Sequence, residues 1–191
     1  NAIKLLSSHA QDMLETDEHP AAKPMHTIRT EVDRLEEIVS SFLSLARETQ
    51  LCREPTELEP LLQECVRLFQ KDAEARKVRL TCELRTPGVI LELDPKQWTR
   101  AVLNVLLNAL EACPEGGRVR LFSRLTEKAC EIEIRDDGPG LPKEVVERVF
   151  DPYYTTKPGG TGLGLSITRG IVEEHGGTIE LTSSPGLGCQ V

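Results

Sequence analysis

The stretch "GGTGLGLSI" (residues 159–167) places glycines at Gly159, Gly160, Gly162 and Gly164, interleaved with and followed by apolar residues Leu163, Leu165, Ile167 and Ile171. Each glycine costs backbone entropy, so the run belongs where the chain needs positive φ or close approach to another group. The apolar spacing, followed by Glu173, Glu174 and then Gly176 and Gly177, predicts a helix with a glycine stop. A glycine-rich loop feeding a helix N-terminus offers free backbone N–H groups and a positive dipole end to an anion, and phosphate is the usual anion. The common phosphate-loop spacings are absent: Lys157 precedes the glycines, and no G-x-G-x-x-G follows a predicted strand. Taken alone, the run also fits a flexible loop or a helix cap, so the rest of the chain must decide.

With 191 residues, 39% hydrophobic and 28% charged, the chain can bury one good core or a core plus a smaller element. A net charge of −8 argues against a nucleic-acid surface, which carries a basic stripe. Cys52, Cys65, Cys82, Cys113, Cys130 and Cys189 show neither C-x-x-C nor zinc-like spacing and read as reduced thiols of a cytoplasmic protein. No apolar run reaches the ~20 residues of a membrane span, so any membrane attachment is expected through regions outside this chain. Asn1 in place of a start Met is expected to mark a piece of something longer.

Two units are expected. In residues 1–50, Ile3, Leu6, Ala10 and Met13 step by three and four, "ETDEHPAAKP" interrupts, and a second helix starts near Met25. Its positions Ile28, Val32, Leu35, Val39, Phe42 and Ala46 form a heptad seam. Such an antiparallel helical hairpin cannot cover its own seam, which predicts a homodimeric four-helix bundle; packing of an ordinary amphipathic pair on the downstream unit is the alternative. From residue 51 the pattern predicts a short linker and strand, a helix from Leu58 to Arg76, strands over 78–84 and 88–94, and a proline-led helix over 95–113. An antiparallel pair in "GRVRLFSRLT" and "ACEIEIRDDG", a short helix over 143–149, the glycine-capped helix, and final strands in "GTIELTSS" and "GCQV" complete the pattern. The fold class is α+β: the hairpin, then residues 51–191 as a two-layer α/β sandwich with helices on one face of a mixed, mainly antiparallel sheet.

Three groups of polar residues sit badly with a plain core. Asn104 and Asn108, four apart on one helix face among Val102, Leu103, Val105, Leu106, Leu107 and Leu110, need partners if buried. One asparagine would be a core hydrogen bond; two facing a glycine loop suggest a hard cation bridged to phosphates through oxygen ligands. "IRDDGPGL" (134–141) reads either as a strand leaving into a turn or as a strand end presenting Asp136 to an amino group such as that of adenine. "FDPYYTTK" (150–157) reads as an aromatic-anchored surface loop, or as a segment that aims Lys157 at phosphate.

In order and spacing, "NVLLNA", "DDGPG", "FDPYYTTK" and "GTGLGL" resemble the N, G1, F and G2 boxes of sensor histidine kinases, whose ATP-binding fold is shared with gyrase, Hsp90 and MutL. The resemblance spans about residues 55–191, and the preceding helices resemble that family's dimerisation and histidine-phosphotransfer hairpin. It implies ATP and Mg²⁺ as cofactors, with Asn108 as metal ligand, Asn104 nearby, and Asp136 on the adenine amino group. Gly138 and Gly140 would shape the pocket, with Phe150, Thr155 and Thr156 alongside. Lys157, Gly160, Thr161, Gly162, Leu163, Gly164 and Leu165 would surround the triphosphate, Asn104 and Lys157 having the catalytic roles. The short segment between Lys157 and Gly160 resembles the lid of nitrogen-regulator sensors.

One departure stands out. The family's H-[ED]-x-x-[NT]-P-L acceptor motif matches none of His9, His19, His26 and His175. "NAIKLL" resembles the segment just C-terminal to that motif, so the acceptor is expected before Asn1. The implied activity is phosphate transfer from ATP to a histidine and on to an aspartate in the receiver domain of a response regulator. Two other classes remain: a conformational ATPase like gyrase or Hsp90, which places a glutamate where Asn104 stands, and a nucleotide-binding scaffold or anti-sigma-type serine kinase.

Overall fold

The structure, a computed structural model, describes residues 51–157 and 160–191; the expected hairpin, its seam and His9, His19 and His26 lie outside the described residues. Strand β1 (Glu54–Glu57) leads into helix α1 (Leu58–Ala75), then β2 (Arg79–Arg85) and β3 (Ile90–Leu93). Helix α2 (Pro95–Ala112), β4 (Arg118–Leu125), β5 (Cys130–Asp136) and the short α3 (Lys143–Val146) follow. Helix α4 (Gly164–Glu174) and two brief strands, β6 (Thr182–Ser183) and β7 (Cys189–Gln190), complete the unit.

The main sheet runs in the order β2-β4-β5-β7-β6. β2 lies parallel to β4 in register Arg79↔Arg118 through Arg85↔Arg124, and the chain crosses between them by way of α2. β4 and β5 are antiparallel, Val119 opposite Asp136 and Leu125 opposite Cys130, and Thr126 and Ala129 close their turn through backbone and hydroxyl hydrogen bonds. Alternation decides which face is covered. Leu80, Val119, Leu121 and Ile134 point inward to one core with Leu58, Leu62 and Cys65 of α1 and Val102, Val105, Leu106, Ala109 and Leu110 of α2. The opposite face carries Arg120 and the ion-paired Glu83, Arg85, Arg124, Glu131, Glu133 and Arg135, with Arg124–Glu131 at 2.6 Å. The two-layer sandwich with a mixed, mainly antiparallel sheet is therefore the fold observed.

Two expectations change in detail. β3 leaves the main sheet and pairs antiparallel with β1, Glu54 opposite Leu93, in a separate two-stranded ribbon. The strand expected across "GTIELTSS" shrinks to Thr182–Ser183 because its partner β7 is itself only two residues long. A strand extends no further than the ladder that pairs it.

The start of α2 decides how its polar residues face. Asp94 caps the helix: its Oδ1 accepts from the N–H of Lys96 at 3.0 Å and of Gln97 at 3.1 Å, its Oδ2 accepts from the N–H of Cys52, and Pro95 follows. The N–H of Asp94 in turn donates to His175 Nε2 at 2.9 Å. His175 Nδ1 lies 2.7 Å from the carbonyl of Ile171, which can only accept, so the two contacts fit the tautomer that donates from Nδ1 and accepts at Nε2. The end of α4 is thereby fastened to the beginning of α2. Asp94→Ala is expected to lose about 1–2 kcal/mol of stability, the upper part of the range for a helix cap, in urea denaturation; an unchanged midpoint would count against the cap as an organiser of α2.

Candidate functional site

Along α2 the face that carries Asn104 and Asn108 also carries Glu111, three residues beyond Asn108. Asn104 is half-buried and donates from Nδ2 to Thr168 Oγ1 at 2.8 Å, and Thr168, buried, donates from its hydroxyl to the carbonyl of Gly164 at 3.1 Å. A Cβ at position 164 would lie 2.5 Å from Asn104 Oδ1, inside any real contact. Glycine there is what lets the first turn of α4 come down on the α2 amide. Helix α4 has no side-chain cap at this end, so its first N–H groups remain available to a ligand.

One turn further along α2, Lys157 Nζ donates to Asn108 Oδ1 at 2.9 Å and to Glu111 Oε2 at 2.5 Å. The ammonium is a cation already seated on an amide and a carboxylate oxygen, the donor chemistry that a hard divalent cation takes. Among the described residues no three His, Cys, Asp or Glu side chains gather at one point. A metal held at Asn108 would thus complete its shell with phosphate oxygens and water.

The third component closes β5. Asp136 is buried; its Oδ1 accepts from the N–H of Gly138 at 2.8 Å and from the N–H of Cys189 at 3.3 Å. Oδ2 has no donor among the described residues. Burial pushes the Asp136 carboxyl above the usual carboxylate range, with Asp137 adding to the rise and the two backbone N–H groups opposing it. The native state then holds this proton more tightly than the unfolded chain does. Its contribution to stability therefore falls as pH rises from the ordinary carboxyl value through the raised one. A buried carboxylate kept at such a cost fits a group retained for binding. Gly138 packs with its Cα against the carboxylate, and Gly140 against the carbonyl of Ser184. Gly188 is also needed: a Cβ there would lie 1.9 Å from the carbonyl oxygen of Asp136.

The remaining expected residues divide. Thr155 Oγ1 accepts from the N–H of Lys157 at 3.1 Å, Gly160 donates to the Lys157 carbonyl, and Thr156 is exposed beside them. Gly162 lies against the backbone of Tyr153, with Thr161 half-buried before it. Phe150 is buried beneath Arg169, whose guanidinium stands 4.2 Å from the ring centre, while Leu163 is buried and Leu165 packs on the core. The side chains of these three are apolar, so Leu165 could reach a ligand only through its backbone N–H. Sequence reading missed Glu111, Thr168 and Gly188. Glu111 and Thr168 fit an amphipathic helix without comment; the second glycine of "PGLG" before Cys189 was the available signal for Gly188.

The profile of the family described as "Histidine kinase-, DNA gyrase B-, and HSP90-like ATPase" matches residues 93–191. The chain belongs to this family. The matched span of the ATPase family takes in every residue of the site described above. Sensor histidine kinase ZraS of Escherichia coli O157:H7 is 34% identical over 160 residues, 84% of this chain and 35% of its own length. Sporulation kinase A of Bacillus subtilis (strain 168) is 30% identical over 185 residues, 96% of this chain and 30% of its own. The chain thus spans about a third of the length of these curated relatives. Among solved structures, the nucleotide-free catalytic domain of histidine kinase ThkA matches with TM-score 0.66 and 29% identity over 72% of this chain and 91% of that one. Histidine kinase ThkA in complex with response regulator protein TrrA matches with TM-score 0.76 and 26% identity over 100% of this chain and 56% of that one. The four boxes thus resemble the kinases for a reason of kinship. No helix among the described residues is long and apolar enough to cross a membrane.

Asp136→Asn keeps an acceptor for the Gly138 and Cys189 N–H groups while removing the buried charge. Its urea midpoint at pH 7 is expected to equal or exceed that of the parent, while calorimetric affinity for an adenine nucleotide drops by about 1–3 kcal/mol, the scale of a hydrogen bond to a charged group. Undiminished affinity would remove Asp136 from the base-binding role.

Proposed function

We propose that this chain is the ATP-binding catalytic core of a sensor histidine kinase, passing the γ-phosphate of ATP to a protein histidine for relay to a response-regulator aspartate. The observation that carries the reading is the convergence on one face of the Asn108 oxygen, already holding a cation, and the uncapped N-terminus of α4 seated on Asn104. Asp136 Oδ2 would accept from the adenine amino group. Asn108 would hold Mg²⁺, which when bound neutralises and orients the phosphates. Lys157 and the first amides of α4 would contact the phosphate oxygens, so that the site works by positioning and charge compensation.

Asn104 supports transferase over hydrolase chemistry. Its amide has no basic lone pair to take a proton from water and is committed to Thr168, so hydrolysis of the gyrase or Hsp90 kind should be slow. The acceptor is not His175, since both of its ring nitrogens are engaged in the fold. It therefore lies outside the described residues. The solved complex of ThkA with TrrA, which joins a kinase to a response regulator, supports a receiver domain as partner. The heptad seam in residues 1–50 supports a homodimer, and the reduced-thiol reading of the cysteines supports a cytoplasmic location.

The test is labelling of the full-length protein with γ-labelled ATP and Mg²⁺. An acid-labile label is expected that persists in His175→Ala if that variant folds, and forms on the order of 100-fold more slowly in Asn108→Ala, the scale for misplaced reactants. An acid-stable label, or labelling indifferent to Asn108, would contradict a histidine kinase built on this site.

A further inference from the structure

Glu111 has no part in the nucleotide roles set out above, yet it makes the shortest contact to Lys157. Lys157 Nζ is 2.5 Å from Glu111 Oε2 and 2.9 Å from Asn108 Oδ1, with the Lys157 and Glu111 side chains 43% and 36% exposed. Glu111 and Asn108 are one helical turn apart on α2, whereas Lys157 arrives from a loop 46 residues later in the sequence. Three groups from two segments therefore meet at the oxygen that the proposed function assigns to a metal ion. An ammonium and a divalent cation bound to the same oxygen would repel each other at ~3 Å, so the two contacts exclude one another.

We propose that Glu111 is a positioning residue that holds Lys157 on Asn108 in the absence of nucleotide, making Lys157 a tethered cation that an incoming metal–nucleotide must displace. The inference rests on the nucleotide-site reading. Displacement moves the ammonium off two oxygens of α2 and frees its three N–H donors for phosphate oxygens, so one exchange vacates the metal position and delivers the lysine. Glu111 is left beside the arriving metal, where its negative charge favours the cation. With metal absent there is no such exchange: the nucleotide must draw Lys157 away from Glu111 by phosphate charge alone, and the unpaired carboxylate then faces the phosphates. Glu111 thereby makes the site discriminate against metal-free nucleotide.

The pair is partly exposed, so its effect is modest and requires a cycle of variants to isolate. Calorimetric titration of the folded chain with ADP, in EDTA and in Mg²⁺, would compare the parent, Glu111→Gln, Lys157→Met and the double variant, each checked for parental circular dichroism. In EDTA, Glu111→Gln is expected to bind ADP more tightly. That gain should be about two- to fivefold larger with Lys157 present than in the Lys157→Met background, the scale for a partly exposed ion pair. In Mg²⁺ the gain should shrink or reverse, since the carboxylate then faces a cation. Equal gains with and without Lys157, while the parent still binds ADP, would overturn the latch and leave the nucleotide site standing. Absence of ADP binding by the folded parent in either medium would overturn both.

Discussion

The contact between Gly164 and Asn104 is the constraint on which the site depends. A helix that delivers its free amides to an anion must bring its first turn close to whatever else holds that anion. Here the first turn of α4 sits on an amide of α2 at a separation that excludes even a methyl group. Thr168 locks the approach by accepting from Asn104 and donating to Gly164, so the same three residues set both the distance and the rotation of α4. At the far end of α4, His175 joins its last turn to the cap of α2 through the Asp94 N–H. Helix α4 is thus pinned at its two ends to the start and the middle of α2, and the polar stripe of α2 is left facing the glycine loop.

The sheet below serves the same end. β5 carries Asp136 to the rim, and the β5–β7 pairing lays Gly188 and Cys189 across its carboxylate. The carboxylate is held by two backbone N–H groups with one oxygen to spare, at a cost in desolvation visible in its raised pKa. The open face of the sheet by contrast carries solvent-accessible ion pairs around Phe122, Arg124–Glu131 between strands and Arg85–Glu83 and Arg135–Glu133 within them. The proposed nucleotide site thus draws on the helical layer and the rim of β5, away from this open face.

Much of this was legible in the sequence because long amphipathic segments carry their own signal. The α2 pattern, with proline at its start and apolar residues around two asparagines, predicted the helix to within one residue of its end, and alternation in β4 and β5 predicted an antiparallel pair. Short elements were not legible, since their extent depends on partners: β6 ends where β7 ends, and β3 turns to β1 instead of joining the main sheet. The candidate site was suggested where a residue breaks its local rule, as with asparagines in an apolar helix face, glycines in a run, or a carboxylate at a strand end. It was silent at Glu111 and Thr168, which obey the helix pattern, and whose importance comes only from Lys157 and Asn104 arriving through space.

The most direct measurement is an amide and side-chain amide NMR titration of the folded chain with ADP and Mg²⁺. If the helical layer is the nucleotide site, the largest shifts fall on Gly138, Gly140, Gly162, Gly164 and the Asn104 and Asn108 side chains, while Arg120, Glu133 and Arg135 on the open sheet face stay in place. Shifts centred on the sheet face, or none at α2 and α4 when binding is saturated, would contradict the site.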